Sequence, residues 1–200
     1  PFSLLPRRML RRVTDITPAL LSECGAKALF LDFDNTIVPY TTDTPSPEVL
    51  RWLEALRADG VQLCVVSNSR KPRVVRFCET YGLDCVTHAR KPFQKGIRRA
   101  LLRCGLLPGE TALAGDQIYT DVLGANCAGL TSILVRPIRL HNIWLKLRRG
   151  LELPWIALAG RLGRGGWAGE AGKKSKIAAY GLAFCGEIGY DIAVWYRRKP

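Results

Sequence analysis

The sequence predicts an α/β fold in which a doubly wound parallel sheet of the Rossmann type carries helices on both faces. Between about residues 28 and 135, short apolar runs alternate with longer helical patterns. A glycine follows each helical pattern, at the place where the chain would leave the helix. With 200 residues, of which 48% are hydrophobic, the chain is long enough to bury a sizeable core.

Five short runs of mostly apolar residues predict the strands of this sheet. Continuous apolar runs are typical of strands that are buried on both faces, which is the environment of a parallel sheet. In such a sheet, ligands bind beyond the carboxyl ends of the strands. The predicted strands are Ala28–Phe33, Val61–Ser67, Cys85–Val86 with its flanking residues, Thr111–Gly115 and Thr131–Val135.

Four segments between these runs predict helices. The first begins after Ser46, which can cap the helix, and has Glu48 in its first turn, where a carboxylate interacts favourably with the helix dipole. Each segment is followed by a glycine suited to the left-handed conformation at a helix C-terminus. The predicted helices are Pro47–Ala58, Arg73–Tyr81, Phe93–Cys104 and Asp121–Ala128, and the glycines are Gly60, Gly82, Gly105 and Gly129.

The N-terminal segment has the pattern of a basic amphipathic helix. Leu5, Met9, Val13 and Ile16 recur at helical spacing, with arginines between them. An ordinary helix docked on the sheet would explain this pattern, and so would a helix lying on an anionic lipid surface.

After Arg136 the alternation stops, and the rest of the chain is basic with a Gly-rich stretch. The apolar segment Ile177–Tyr196 has the length of a membrane-spanning helix but contains two carboxylates, which are costly in hydrocarbon. We therefore expect an interfacial helix or one packed on the domain. The predicted organisation is a core with its N-terminal helix over residues 1–150, followed by a Gly-rich linker and a basic helical tail over residues 151–200.

The distribution of charge indicates an anionic partner. The chain carries 30 Lys and Arg against 17 Asp and Glu, a net charge of +13, yet residues 28–134 are close to neutral. Because the excess lies at the two ends, it indicates a surface-directed role toward phosphate, anionic lipid or nucleic acid. The seven cysteines form no C-x-x-C pair and indicate reduced thiols in a cytoplasmic protein.

Two carboxylates follow the first predicted strand. Asp32 and Asp34 lie two residues apart, and the turn at the end of the strand could direct both around one phosphate. A surface turn would also explain the pair, because Asp and Asn are common in turns. The ends of the other predicted strands bear on this choice.

Polar and charged side chains also follow the other predicted strands. Ser67 and Asn68 supply a hydroxyl and turn amides that can donate to phosphoryl oxygens, although a helix cap would use them in a similar way. Lys91 precedes a helix, where its ammonium could neutralise phosphate or be solvated. Asp116 and Asp121 add two carboxylates beside a glycine, which allows the backbone to approach closely.

Four carboxylates at one sheet edge repel each other unless a cation lies among them. Carboxylate oxygens without His or Cys ligands suit Mg²⁺. The chain has only two histidines, His88 and His141, which are far apart in sequence, so a zinc site is not expected. The sequence therefore predicts a magnesium site formed by the acidic residues that follow the strands.

In this order, the motifs D-x-D-N-T, S-N, K-P and G-D-x-x-x-x-D resemble those of the haloacid dehalogenase (HAD) superfamily of phosphohydrolases, subfamily IIIA. The strings LDFDNTIV, VVSNS, ARKP and GDQIYTDVLGAN are similar to the branch called YqeG, which is related to phosphatidylglycerophosphate phosphatases. The resemblance covers roughly residues 4–150. It implies a Rossmann-like HAD core that hydrolyses a phosphomonoester with the help of Mg²⁺.

The resemblance also implies a role for each matching residue. Asp32 is expected to attack phosphorus and become an aspartyl phosphate, and Asp34 to protonate the leaving oxygen and then activate water. Ser67 and Asn68 are expected to bind the phosphoryl group, while Lys91 offsets its charge and that of the nucleophile. The expected Mg²⁺ ligands are Asp32, the backbone carbonyl of Asp34, and Asp116, with Asp121 binding the metal or lying just outside its ligand shell.

The gaps between these motifs are too short for the cap domains that the superfamily inserts. Ile37 to Ser46 is a stretch of ten residues, and one predicted helix and one predicted strand fill the interval from Ser67 to Lys91. A site without a cap is open to a phosphate on a bulky carrier, such as a lipid head group, a nucleic acid end or a protein.

These observations favour a Mg²⁺-dependent phosphatase in the cytoplasm, working on an anionic phospholipid at the inner face of the cell membrane. The resemblance makes phosphatidylglycerophosphate the best single substrate. Two alternatives stay open: a phosphatase of a soluble or RNA phosphomonoester, and a basic protein that binds RNA or the ribosome. The complete set of motifs argues against a binding protein with a dead catalytic site.

Overall fold

The computed structural model describes residues 2–140 and 143–165, which contain a parallel β-sheet with helices on both faces. This architecture confirms the doubly wound α/β class predicted from the sequence. The predicted helix Ile177–Tyr196 and most of the predicted Gly-rich linker lie outside the described residues.

Six parallel strands form the sheet, and their apolar side chains are buried because helices cover both sides. They are β1 (Arg8–Leu10), β2 (Ala28–Leu31), β3 (Gln62–Val66), β4 (Asp84–Val86), β5 (Thr111–Gly115) and β6 (Thr131–Val135). Their order across the sheet is β1-β6-β5-β2-β3-β4. The chain moves outward from β2 in one direction through β3 and β4 and then crosses to β5 on the other side, so the crevice where ligands bind in such sheets lies at the end of β2.

The helices among the described residues cover the two faces of the sheet. They are α1 (Pro18–Glu23), α2 (Pro47–Ala58), α3 (Pro72–Thr80), α4 (Gln94–Cys104), α5 (Leu123–Ala128) and α6 (Ile143–Arg161). On one face, Leu53 of α2 and Phe77 of α3 belong to the same buried cluster as Leu31. On the other face, Ile97 of α4 belongs to the same cluster as Phe30 of β2.

The local signals in the sequence place most of these elements correctly. The bounds of α2, β5 and β6 are those predicted. The other strands and helices predicted between residues 28 and 135 differ at their ends by one or two residues. Ser46 caps α2 by accepting a hydrogen bond from the backbone N–H of Val49 at 3.3 Å. Gly105 and Gly129 end α4 and α5 with φ angles of 64° and 82°, as the glycine positions predicted.

The predicted helix in the N-terminal segment is wrong. This segment contains strand β1 and a short 3₁₀ turn at Val13–Asp15. Met9 of β1 pairs with Leu134 of β6, and Met9 is buried. A hydrogen-bond ladder to a strand far along the chain outweighs the helical spacing of the apolar residues, because strand formation depends strongly on tertiary context.

Helix α6 is a long element that was not predicted with these bounds, and it is continuous across residue 150. Its Ile156 and Ala159 form a buried cluster with Met9 and Leu134, so this half of α6 packs on the β1 side of the sheet. The division into a core over residues 1–150 and a tail over 151–200 stays a prediction. Among the residues that the structure describes, no helix has the length and apolarity needed to cross a membrane.

No cap domain occurs in the described part of the chain. A loop joins β2 to α2, and the interval between β3 and α4 holds only α3, β4 and their connecting loops. The described residues therefore agree with the prediction, made from the spacing of the motifs, that no cap domain is inserted between them.

Candidate active site

The predicted site residues follow the carboxyl ends of four strands. Asp32 follows β2, Ser67 follows β3, Lys91 lies in the loop after β4, and Asp116 follows β5. The backbone N–H of Asp32 donates to the carbonyl of Ala114 at 2.9 Å, which fixes this residue to the neighbouring strand. Because the strands are parallel, the four ends lie at one edge of the sheet. The fold thus brings together side chains that are far apart in sequence.

Three buried carboxylates form the centre of the site. Oxygen atoms of Asp32, Asp116 and Asp121 lie within 4.8 Å of one another. Asp121 comes from the π-helical turn Ile118–Val122, and its side chain lies against Gly115. A Cβ atom on Gly115 would overlap the Asp121 carboxylate, so the glycine noted in the sequence makes room for this acid.

Burial of two of these carboxylates, Asp32 and Asp116, favours their protonated forms. Burial raises the pKa of Asp32 to about 7, an increase that Lys91 opposes and Asp121 reinforces. Burial also raises the pKa of Asp116 well above its ordinary value, with further contributions from the charges of Asp32 and Asp121. A cation bound among the carboxylates would relieve the repulsion that contributes to these raised pKa values.

Lys91 is the ammonium group that joins two of the carboxylates. Its Nζ atom lies 2.7 Å from Asp32 Oδ1 and 2.7 Å from Asp121 Oδ1, and its side chain is only 1% exposed. Burial alone would lower the pKa of Lys91, but the two carboxylates outweigh burial and raise it. The lysine therefore stays charged at neutral pH and contributes a fixed positive charge at the sheet edge.

Asn68 holds the backbone of Lys91 from the neighbouring loop. The N–H of Lys91 donates to Asn68 Oδ1 at 2.6 Å, and Asn68 Nδ2 donates to the carbonyl of Lys91 at 3.0 Å. The side chain of Asn68 thus positions the lysine. Phosphate binding by Asn68 stays a prediction, and it would have to use the backbone N–H of this residue.

Asp34 lies apart from the three clustered carboxylates and pairs with an arginine. Arg73 Nη2 donates to Asp34 Oδ1 at 2.8 Å, and the guanidinium lies 5.1 Å from the centre of the Phe33 ring. Arg73 also donates to the carbonyls of Pro39 and Tyr40, each at 3.2 Å. Burial raises the pKa of Asp34, against the opposing charge of Arg73. Arg73 thereby fixes both the carboxylate and the loop that follows it.

Two hydroxyl groups, those of Ser67 and Thr36, lie in the loops that carry the site residues. Ser67 is buried, and its Oγ accepts from the N–H of Ser69 at 3.1 Å, a bond that leaves the hydroxyl proton for another acceptor. Thr36 Oγ1 donates to Asp32 Oδ2 at 3.4 Å. The hydroxyl proton of Ser67 is thus not used in the bond with Ser69, and phosphate binding by Ser67 stays a prediction.

Sequence reasoning did not find Arg73 or the contacts from α6. Arg149 Nη1 donates to the carbonyl of Asp116 at 3.3 Å and pairs with Glu152 at 3.0 Å. The buried Glu152 in turn accepts from the N–H of Ile118 at 2.9 Å. These residues follow no strand and carry no motif. The basic character of the chain after Arg136 is a signal for Arg149 alone.

The site combines the groups that carboxylate-based hydrolysis needs. It has a buried carboxylate paired with an ammonium group, a second carboxylate paired with an arginine, and a hydroxyl that donates to the first carboxylate. At the carboxyl edge of a doubly wound parallel sheet, this arrangement fits a hydrolase that works through carboxylates. The model of the haloacid dehalogenase-like hydrolase family matches residues 19–129, more than half of the chain. The chain belongs to the haloacid dehalogenase-like hydrolases.

A relative and two solved structures resemble the chain. It is 32% identical over 164 residues to the probable phosphatase YqeG of Bacillus subtilis strain 168, a match that covers 82% of this chain and 95% of the relative. A HAD phosphatase from Thermococcus onnurineus is 27% identical, covers 50% of this chain and 49% of its own, and has a TM-score of 0.42. The cobalt-bound deoxy-D-mannose-octulosonate 8-phosphate phosphatase of Haemophilus influenzae is 16% identical, covers 68% and 90%, and has a TM-score of 0.46. Family membership and the YqeG relative confirm the HAD-type phosphatase predicted from the motifs.

Proposed function

We propose that this phosphatase uses Mg²⁺ and an aspartyl-phosphate intermediate, and that its substrate is phosphatidylglycerophosphate at the inner face of the cell membrane. The observation that carries the catalytic part is the cluster of Asp32, Asp116 and Asp121, whose oxygens lie within 4.8 Å of one another. Buried carboxylates at this separation are unfavourable without a cation in addition to Lys91.

The donor set of this cluster fits a hard divalent cation. It offers carboxylate oxygens and no His or Cys side chain, which suits Mg²⁺ better than zinc. We assign the metal to Asp32, Asp116 and the backbone carbonyl of Asp34, with Asp121 binding it or lying just outside. When bound, Mg²⁺ would offset the charge of the carboxylates and of the phosphoryl oxygens.

In the first step of the proposed reaction, a carboxylate oxygen of Asp32 forms a bond to phosphorus while the bond from phosphorus to the leaving oxygen breaks. Asp34 donates its proton to that oxygen, so the product leaves as an alcohol. Burial raises the pKa of Asp34 above that of an exposed carboxyl group, which favours its protonated form and supports this role. Lys91 holds Asp32 in place through the 2.7 Å ion pair.

In the second step, water replaces Asp32 on phosphorus and inorganic phosphate is released. Asp34, now ionised, accepts a proton from the attacking water and is thereby ready for another cycle. The Ser67 hydroxyl and the backbone N–H of Asn68 would donate to the phosphoryl oxygens, and Lys91 would offset their charge.

Replacing Arg73 tests whether Asp34 must be held in place. We expect Arg73→Met to lower kcat by about 10²-fold, because a misplaced acid–base group loses most of its effect. The matched control is Arg76→Met on the same helix, since Arg76 is exposed and lies 3.8 Å from Asp43, another partner of Arg73. The Arg76 variant should keep its kcat within about twofold. Wild-type turnover in Arg73→Met would show that the pair with Asp34 does not position the acid.

The open sheet edge supports a bulky substrate, and the family resemblance points to phosphatidylglycerophosphate. No cap occurs in the described residues that would close over a small phosphomonoester. A phosphatase of a soluble or RNA phosphomonoester is the second candidate, which the basic ends of the chain also favour. An RNA- or ribosome-binding role without catalysis accounts for the charge but not for the buried acids.

The testing experiment measures phosphate release by the full chain after treatment with EDTA, with and without added Mg²⁺. The substrates are phosphatidylglycerophosphate in anionic vesicles, a panel of soluble phosphomonoesters and a 3′-phosphorylated RNA. We expect release from the lipid, and a loss of at least about 100-fold when the metal is removed. Asp116→Asn should need more Mg²⁺ for half-maximal rate.

Each outcome of that experiment bears on one part of the proposal. Release from soluble or RNA substrates alone would keep the catalytic part and overturn the lipid assignment. Full activity in EDTA would overturn the role of Mg²⁺. No release from any substrate with Mg²⁺ present would contradict the proposal as a whole.

A further inference from the structure

An exposed apolar surface lies beside the site, and we call it the rim patch. It consists of Ile138 in the loop after β6 and of Ile143, Trp144 and Leu147 at the start of α6. These side chains are 43%, 71%, 74% and 49% exposed. A group of large apolar side chains that are this exposed marks a surface that binds a protein or a membrane.

The rim patch is surrounded by basic residues. The segment from residue 136 to residue 151 contains five Lys and Arg and no Asp or Glu. Arg139 and Lys146 are exposed, and the Arg148 side chain is one-third exposed beside Asp116. A partner that binds the rim patch must therefore offer apolar groups together with negative charge.

Hydrogen bonds connect the rim patch rigidly to the catalytic loop. The N–H of Ile138 donates to the carbonyl of Asn35 at 2.9 Å. The Asn35 side chain also exchanges two hydrogen bonds of 2.9 Å with the backbone of Arg139. Asn35 follows Asp34 directly, so the patch lies next to the loop that carries Asp32 and Asp34.

The other side of the rim patch is connected to the metal-site loop through α6. Arg149 donates to the carbonyl of Asp116, and Glu152 accepts from the N–H of Ile118. A surface that holds the start of α6 would therefore fix the orientation of the sheet edge that carries Asp32 and Asp116.

We propose that the rim patch docks this protein on an anionic lipid bilayer, with the carboxyl edge of the sheet facing the headgroups. This inference rests on the proposed function for its substrate and adds the surface that brings enzyme and lipid together. Trp and aliphatic side chains enter the boundary between headgroups and acyl chains, and Lys and Arg pair with anionic headgroups. The surface of an acidic protein would match the basic charge of the patch. It would not offer the exposed side chains an apolar layer like the acyl chains of a bilayer.

The test compares two double variants of the full chain in vesicle flotation. Trp144→Ser/Leu147→Ser removes the apolar part of the rim patch. The matched control is Leu102→Ser/Leu107→Ser, because these leucines are 84% and 67% exposed at the opposite edge of the sheet, where α4 ends and β5 begins. The vesicles contain equal parts of phosphatidylcholine and phosphatidylglycerol, or phosphatidylcholine alone.

We expect the wild type and the control to float with the anionic vesicles, and the rim variant to bind them at least about tenfold more weakly. Hydrolysis of a soluble aryl phosphate should be equal in all three proteins, because none of these residues touches the reacting groups. Lys146→Glu should weaken binding to the anionic vesicles in the same direction.

Three results would overturn the docking surface. The wild type could fail to bind anionic vesicles, or the rim variant could bind them as well as the wild type, which would assign binding to another part of the chain. The wild type could also be a dimer in analytical ultracentrifugation that the rim variant converts to a monomer, which would make the patch a contact between copies. Flotation does not depend on turnover, so a failure of the proposed phosphatase activity would be seen separately in the hydrolysis assay.

Discussion

Asp32→Asn should abolish turnover while leaving the fold intact. The amide is a poor nucleophile toward phosphorus, so we expect phosphate release to fall by at least about 10⁴-fold. The fold should survive because Asn has nearly the same shape, the backbone bond to Ala114 does not involve the side chain, and Lys91 keeps its pair with Asp121. An active Asp32→Asn protein would remove the proposed nucleophile.

The same variant should also change the free energy of unfolding, and the pKa of Asp32 determines the direction of that change. Asp32 has a pKa of about 7 in the folded protein against 3.8 as its ordinary value, so the folded chain binds more protons than the unfolded chain between those pH values. Ionisation of Asp32 therefore costs stability as the pH rises through this window. In EDTA, Asp32→Asn should be more stable than the wild type by about 4 kcal/mol at pH 7.5, and the difference should shrink toward pH 4.

Asp34→Asn distinguishes the proposed acid from the proposed nucleophile. With an alkyl phosphate, the first step needs a proton on the leaving oxygen, and this variant should be nearly inactive. With p-nitrophenyl phosphate the leaving group needs no acid, so the first step proceeds and the second is slow. A burst of p-nitrophenol close to one equivalent per enzyme is the expected signature, and its absence would place Asp34 outside the second step.

The parts of the fold that were predicted correctly have strong local signals. The helix α2 begins at a capping serine and ends near Gly60, and the strands β5 and β6 are short apolar runs between turns. Strand β1 has no such signal, because it has three residues and exists through its pairing with β6. Met9 of β1 recurs at helical spacing with Leu5 and Val13, so the local sequence pattern predicts a helix instead of a strand.

The same distinction explains which site residues could be predicted. Asp32, Lys91 and Asp116 each follow a strand, and parallel strands bring such residues to one edge whatever the details of packing. Arg73 lies in the first turn of a helix and reaches Asp34 only through the relative placement of α3 and the loop after β2. No spacing in the sequence encodes that contact. Asn68 was correctly predicted to lie at the carboxyl edge of the sheet. Its side-chain hydrogen bonds to the Lys91 backbone could not be predicted, because they depend on how the loops after β3 and β4 pack together.

Lys91→Met should have a second large effect, this time on stability and turnover together. Among the described residues, Lys91 Nζ is the one cation 2.7 Å from both Asp32 and Asp121, and its removal leaves these buried carboxylates without a positive charge beside them. Breaking a buried ion pair in this way costs about 3–5 kcal/mol. Chemical unfolding in EDTA should show that loss, and turnover should fall with it. Lys95→Met is the matched control, because Lys95 is exposed on the next helix.

A second variant keeps this prediction testable if Lys91→Met does not fold. Lys91→Met/Asp121→Asn removes one negative charge along with the lysine, so it should regain much of the lost stability without regaining turnover. Stability and catalysis then separate: the first depends on the balance of buried charge, and the second on an ammonium group next to the nucleophile. Wild-type turnover in the double variant would mean that Lys91 acts only as a structural counter-ion to Asp121. Recovery of neither property would show that Lys91 is held for its packing rather than for its charge.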